Sequence, residues 1–211
     1  MHKVFISFHH KNDQCYKDYL VKWAEENKVF IDGSVDAGDI SDNLSDEEIR
    51  LKIRDEYLKD TTVTILLVGT ETKHRKHIDW EIYSSMYDGK INKKSGIIVI
   101  LLPSVKSDYC TAAHEGEKTI IFDGIENWKS INTRMEYEER YPYLPERIID
   151  NLLNNKSKIS VVNWDTLLEY NSNTNSEELS KEKLTYMIDM ANKDKSNCEY
   201  DLSRIMRRKN G

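Results

Sequence analysis

Residues 63–68 read Val63-Thr64-Ile65-Leu66-Leu67-Val68, an almost unbroken apolar run closed by Gly69-Thr70. Successive side chains on a strand point to opposite faces, so a run that is apolar in both phases has no water-facing side. Strands of that kind belong to parallel sheets covered by helices on both faces. Outward from this stretch, residues 4–8, 97–102 and 119–122 repeat the pattern, and residues 29–31 repeat it more weakly.

Helical periodicity fills the gaps. Tyr16, Tyr19, Leu20 and Trp23 share a face after the first strand. Ser45 and Glu48 form a capping-box pair ahead of Ile49, Ile53 and Tyr57 at four-residue spacing. Ile78, Ile82 and Met86 repeat that spacing and run to Gly89, read as a C-terminal cap. Pro145 opens a helix bearing Ile148, Ile149, Leu152 and Leu153. The order βαβαβαβ–β–α predicts an α/β protein with three layers and an open, mostly parallel sheet of about five strands. Residues 171–180, rich in Asn, Ser, Thr and Glu, read as a linker or long loop. Two amphipathic helices follow, one on Leu184, Met187, Ile188 and Ala191, the other on Leu202, Ile205 and Met206. The division expected is a domain over residues 1–167 and a linker with a C-terminal helical extension over 168–211.

The chain has 211 residues and a net charge of −6, from 31 basic and 37 acidic side chains, which argues against a nucleic-acid partner. The basic tail, Arg204-Ile205-Met206-Arg207-Arg208-Lys209, reads as a solvated helix end in preference to a nucleic-acid contact. No apolar run approaches bilayer length and no signal-peptide core follows Met1, so no membrane partner is expected and the location expected is cytoplasmic. The three cysteines, Cys15, Cys110 and Cys198, are widely spaced and suggest neither a disulfide frame nor a zinc site.

In an open parallel sheet, ligands bind beyond the carboxyl ends of the strands. Those ends carry Ser7-Phe8-His9-His10, an acidic loop over 32–44, Gly69-Thr70-Glu71 and Pro103-Ser104. The loop reads equally as a lid or as solvated surface. There is no phosphate-binding G-x-x-x-x-G-K-[ST], no dinucleotide G-x-G-x-x-G after a strand and no G-x-S-x-G elbow. The acids and lysine of a receiver domain are missing, and no ligand set completes a metal site around His9-His10 or His74 and His77, so none is expected. Glu81 taken alone is a weak signal, since a glutamate on an amphipathic helix is ordinarily just solvated. Ile78 and Ile82 claim the buried face of its helix, which leaves Glu81 on another face with His77 one turn before and Ser84 one turn after. A flavodoxin-like nucleotide binder would share this sheet, but the hydroxyl-rich phosphate loop after the first strand is missing.

Three stretches together resemble TIR domains, and in particular the TIR-like proteins of the Thoeris antiphage-defence family. They are Val4-Phe5-Ile6-Ser7-Phe8-His9, residues 62–72, and Arg75-Lys76-His77-Ile78-Asp79-Trp80-Glu81-Ile82. Tyr141-Pro142-Tyr143-Leu144-Pro145 and Asn163-Trp164-Asp165 extend the likeness to about residue 167. Many enzymatic TIR domains carry a tryptophan four residues before the glutamate; here that position is His77, and Trp80 directly precedes Glu81. The resemblance implies cleavage of the nicotinamide–ribose bond of NAD+ as substrate, with no cofactor and with Glu81 as the catalytic carboxylate. Ser7, Phe8, His9, Asp36, His77, Trp80 and Ser84 are the substrate-binding candidates, Phe8 and Trp80 being read equally as core. It further implies a nucleotide second messenger, either a cyclic ADP-ribose isomer or an ADP-ribose conjugate, and self-association into an active oligomer. A phage-derived trigger and a separate effector that senses the product complete that picture. The competing expectation is a non-enzymatic TIR-like interaction module.

Overall fold

In the computed structural model, which describes residues 1–34, 40, 43–90 and 92–211, five parallel strands form one sheet. Strand β1 (His2–Ser7) leads into α1 (His10–Asn27) and β2 (Phe30–Asp32). Helix α2 (Asp46–Lys52), opened by the expected Ser45–Glu48 capping box, continues as a wider π turn over Ile53–Tyr57. Then come β3 (Val63–Val68), α3 (Lys76–Met86) and β4 (Gly96–Leu101). Short helices α4 (Glu117–Ile120), α5 (Arg134–Arg140) and α6 (Glu146–Leu153) precede β5 (Ser160–Asn163). The strand order is β2-β1-β3-β4-β5. This is the three-layer α/β architecture expected from the apolar runs.

The alternation of side chains divides the core in two. Val4, Ile6, Ile65, Leu67, Ile98 and Ile100 face Leu20 and Trp23 of α1. Leu66, Val68, Val99 and Leu101 face Ile78, Ile82 and Met86 of α3 and Ile148 of α6. β3 and β4 are buried at every position, which is why they read as continuous apolar runs.

Residues 119–122 are not a strand. They overlap α4, and Ile121 and Phe122 drop into the core on the α1 side. The sheet edge beside β4 is taken by Ser160-Val161-Val162-Asn163 instead. That strand is half polar, so its apolar content was a weak signal. Its serine is satisfied by fully buried Glu117, which accepts from Ser160 Oγ at 2.7 and 2.8 Å, and its asparagine bonds the backbone of Ser107.

The stretch expected as a linker is a two-stranded antiparallel hairpin, β6 (Leu168–Asn171) with β7 (Ser176–Leu179). Its polar residues are cross-strand and turn groups, and Leu179 anchors it in the core. Helix α7 (Lys181–Asp194) follows and lays Leu184, Met187, Ile188 and Ala191 on the same sheet face as α1. Gly96 permits that contact. A Cβ there would lie 2.3 Å from the Ala191 carbonyl oxygen, a backbone atom that cannot rotate away. Gly96→Ala is therefore expected to lift α7 and cost about 3 kcal/mol, at the upper end of overpacking penalties, read as a lower denaturant midpoint.

No second C-terminal helix forms, and the basic tail is not a solvated helix end. Residues 199–211 run as an irregular strap over α6 and the start of α3. Met206 is buried beside Trp80, and polar groups of α6 hold the strap's carbonyls. These tertiary bonds replace the helical ones that the Leu202, Ile205 and Met206 spacing suggested. Helix α3 ends at Met86 with an extended Tyr87, so Gly89 does not cap it. No helix among the described residues is long and apolar enough to cross a membrane.

Candidate functional site

Glu81 lies on α3 where that helix passes beneath the carboxyl end of β1. Ser7 is the last residue of β1, and alternation turns it toward α3, on the side of Phe5. Its Oγ donates to Glu81 Oε2 at 2.6 Å, and both residues are buried, Glu81 at 8% exposure. Burial penalises the carboxylate more than the serine bond favours it, and the proton affinity of Glu81 is pushed up to about 7. One turn further along, the Ser85 and Thr64 hydroxyls share a 2.8 Å bond, and fully buried Ser84 has an Oγ without a partner. The layer between β1, β3 and α3 thus carries a polar streak through an otherwise apolar packing.

The other expected site residues separate into groups. Phe8 points the opposite way from Ser7, joins the core beneath α1 and stacks on His10 at 4.4 Å. Trp80 is fully buried among Phe5, Ile49, Ile53 and Met206, and its indole N–H donates to the Arg207 carbonyl at 2.7 Å. Both take the core role. His77 stacks on Trp80 with ring centroids 4.9 Å apart. Asp36 lies outside the described residues.

His9 lies just beyond the carboxyl end of β1. It is the residue that caps α1, and burial together with the Arg75 guanidinium holds its imidazole below the ordinary histidine range. Its Nδ1 is buried without a partner. Two neighbours, Arg75 and Asp13, were not singled out from sequence. Arg75 pairs with Glu71 at 2.8 Å at the carboxyl end of β3. Asp13, on the first turn of α1, is 4% exposed, has a partnerless Oδ2, and is pushed toward its protonated form by burial. Its carboxyl group rests against Gly69, where a Cβ would come within 2.4 Å of Oδ1. A glycine directly after the central strand was the one sequence signal of that close approach.

A second buried polar centre sits on the far side of α3. Arg147 of α6 is wholly buried and donates to both oxygens of Asp79, at 2.8 and 3.1 Å. It also donates to the carbonyls of Arg204 and Ile205, while Asp79 accepts the Arg207 N–H at 2.8 Å. This pair fixes the strap to the turn of α3 that carries Trp80 and Glu81.

A buried, serine-bound glutamate at the carboxyl edge of a five-stranded parallel sheet is thus in place. Residues 5–107 match the family model described as Thoeris protein ThsB, TIR-like domain. This segment belongs to that family. The match runs from β1 past β4 and contains Ser7, His9, Arg75, His77 and Glu81, whereas β5, α4–α7 and the strap lie beyond it. No curated protein and no solved structure matches the chain. Among the described residues, no group of His, Cys, Asp or Glu is arranged to hold a metal ion.

Proposed function

We propose that this ThsB-type protein cleaves the nicotinamide–ribose bond of NAD+ in antiphage signalling, and that Glu81 is its catalytic carboxylate. The single observation behind this reading is the buried Glu81 carboxyl held by Ser7 at 2.6 Å, inside the segment that matches the family. When the glycosidic bond breaks, its electron pair leaves with nicotinamide, which departs neutral because the ring nitrogen was already cationic. No general acid has to protonate the leaving group. What the protein must supply is stabilisation of positive charge at the ribose C1′, as in other glycosyl transfers. A carboxylate in a water-poor site does this far better than one in solvent. The Ser7 hydroxyl fixes one oxygen and leaves the other to face the ribose.

The product depends on which nucleophile captures the ribosyl cation. Water gives ADP-ribose, an atom of the same molecule gives a cyclic isomer, and an external acceptor gives a conjugate. The reading includes a cyclic isomer or conjugate as messenger for a separate effector, assembly into an active oligomer, and a phage-derived trigger.

NAD+ loss, followed with products resolved by mass spectrometry, tests the proposal. Wild type is expected to consume NAD+, alone at high concentration or in lysate of phage-infected cells. Glu81→Gln, which keeps the shape and the serine partner, is expected to lose at least 100-fold, comparable to losing a key electrostatic group. Equal NAD+ loss in both proteins, or none in wild type under either condition, removes the assignment. The near-complete burial of Glu81 favours one alternative, an interaction module in which the Ser7–Glu81 bond is purely structural. In that case Glu81→Gln leaves NAD+ levels and partner binding unchanged.

A further inference from the structure

The strap closes one side of a cavity of about 280 Å³, whose other walls are the Thr72–His74 turn, Arg75 and the start of α6. A second, more open cleft of about 560 Å³ adjoins it between the same turn and the α5–α6 connection, and Lys73 and Arg207 line both. Five cations converge here on a chain of net charge −6: Lys73, Arg75, Arg204, Arg207 and Arg208. Their partners distinguish them. Arg204 is held by Glu146 and Asp150, and Arg208 by Asp46. Arg75 pairs with Glu71 but keeps a buried, partnerless Nε. Among the described residues, Lys73 Nζ reaches only the Pro142 carbonyl, at 2.6 Å, and over the Tyr143 ring. The Arg207 guanidinium makes no ion pair among the described residues. The acids in the walls, Asp79, Glu138 and Glu146, are already engaged by Arg147, Arg134 and Arg204.

Among the described residues, two cations without counter-ions therefore share one boundary, with a third donor to spare beside them. Pro145, Ile205 and Met206 add an apolar wall. We propose that this cleft binds the phosphates of a nucleotide, with Arg207 and Lys73 as the charge contacts and the apolar wall against its organic part. Planar guanidinium groups match phosphate oxygens in pairs, and an ammonium adds a point charge. Arg75 is also the residue that precedes α3, so the cleft borders the start of the helix that carries Glu81. The phosphates have two possible sources: the pyrophosphate of the dinucleotide engaged at Glu81, or a separate nucleotide acting as effector.

Titration calorimetry of the full chain with ADP at low ionic strength tests this. Wild type is expected to bind, Arg207→Ala and Lys73→Ala each to weaken binding about tenfold, and the exposed control Lys193→Ala to bind normally. Circular dichroism checks the fold of Arg207→Ala, since the bonds of Arg207 to Asp79 and Trp80 are made by its backbone. No ADP binding in wild type, or unchanged binding in both cleft variants, overturns the proposal. Glu81→Gln protein then separates the sources, and only this arm rests on the NAD+ reading. NAD+ that displaces ADP identifies the dinucleotide's own phosphates, and NAD+ bound together with ADP identifies an effector site.

Discussion

Glu81→Gln is expected to make the protein more stable at pH 8, by about 3 kcal/mol, while removing its turnover of NAD+. The stability half follows from linkage. The Glu81 carboxyl binds its proton up to about pH 7 in the fold, against about 4.5 for the unfolded chain. Below pH 4.5 the group is neutral in both states and costs nothing. Between 4.5 and 7 the folded state keeps a proton that the unfolded state releases, so folding stability falls as pH rises. Above 7 the full penalty applies, at about 1.4 kcal/mol for each unit of displacement. Glutamine carries no charge to desolvate and still accepts from Ser7 Oγ. The difference between variant and wild type should therefore be near zero at pH 4, grow through pH 6 and level off at pH 8. Denaturant melts at these three values measure it, and a difference independent of pH would show that burial does not displace this carboxyl. Groups that titrate alike in both proteins cancel.

Activity should move the other way. Stabilising a ribosyl cation requires the ionised carboxylate, so the rate is expected to climb with pH and level off above about 7, the proton affinity of Glu81. The pH that stabilises the fold is thus the one that silences the site. A catalytic group kept at an energetic cost to the fold is a common sign of function.

The sequence displayed the sheet because β3 and β4 are buried on both faces, and only apolar residues with small polar exceptions such as Thr64 survive there. Glu81 was legible only through the resemblance to TIR domains, because the helix face set by Ile78 and Ile82 read it as solvated, whereas it is buried. The sequence could not display β5, whose Ser160 and Asn163 depend on Glu117 and Ser107, partners tens of residues distant. The same holds for the strap. Its helical spacing of Leu202, Ile205 and Met206 is overridden by hydrogen bonds to Asn151 and Arg147, which no local pattern announces. Phe8 and Trp80 were equally plausible as core or contact from sequence, and only the direction of β1 and the depth of α3 assign them to core. Asp13 was overlooked because an acid in the first turn of a helix ordinarily needs no further reason.

The Arg147–Asp79 pair carries the largest expected loss of stability. Arg147→Met removes a guanidinium that makes four hydrogen bonds, two to Asp79 and two to strap carbonyls. It leaves the Asp79 carboxylate, 8% exposed, with only the Arg207 N–H. Breaking one side of a buried pair typically costs 3–5 kcal/mol, because the remaining charge stays desolvated. The double variant Arg147→Met/Asp79→Asn removes the stranded charge and should recover part of that loss, which a denaturant titration would read. An additive double variant would mean that the two groups do not interact. The strap offers a second readout. Without Arg147 the Arg204 and Ile205 carbonyls lose their donor, so amide exchange at residues 205–211 should speed up more than exchange in β3. Since the Arg207 carbonyl holds Trp80, and Trp80 directly precedes Glu81, NAD+ turnover in Arg147→Met is expected to fall under conditions where the protein remains folded. Turnover equal to wild type at matched folded fraction would show that the strap stabilises α3 without positioning its glutamate.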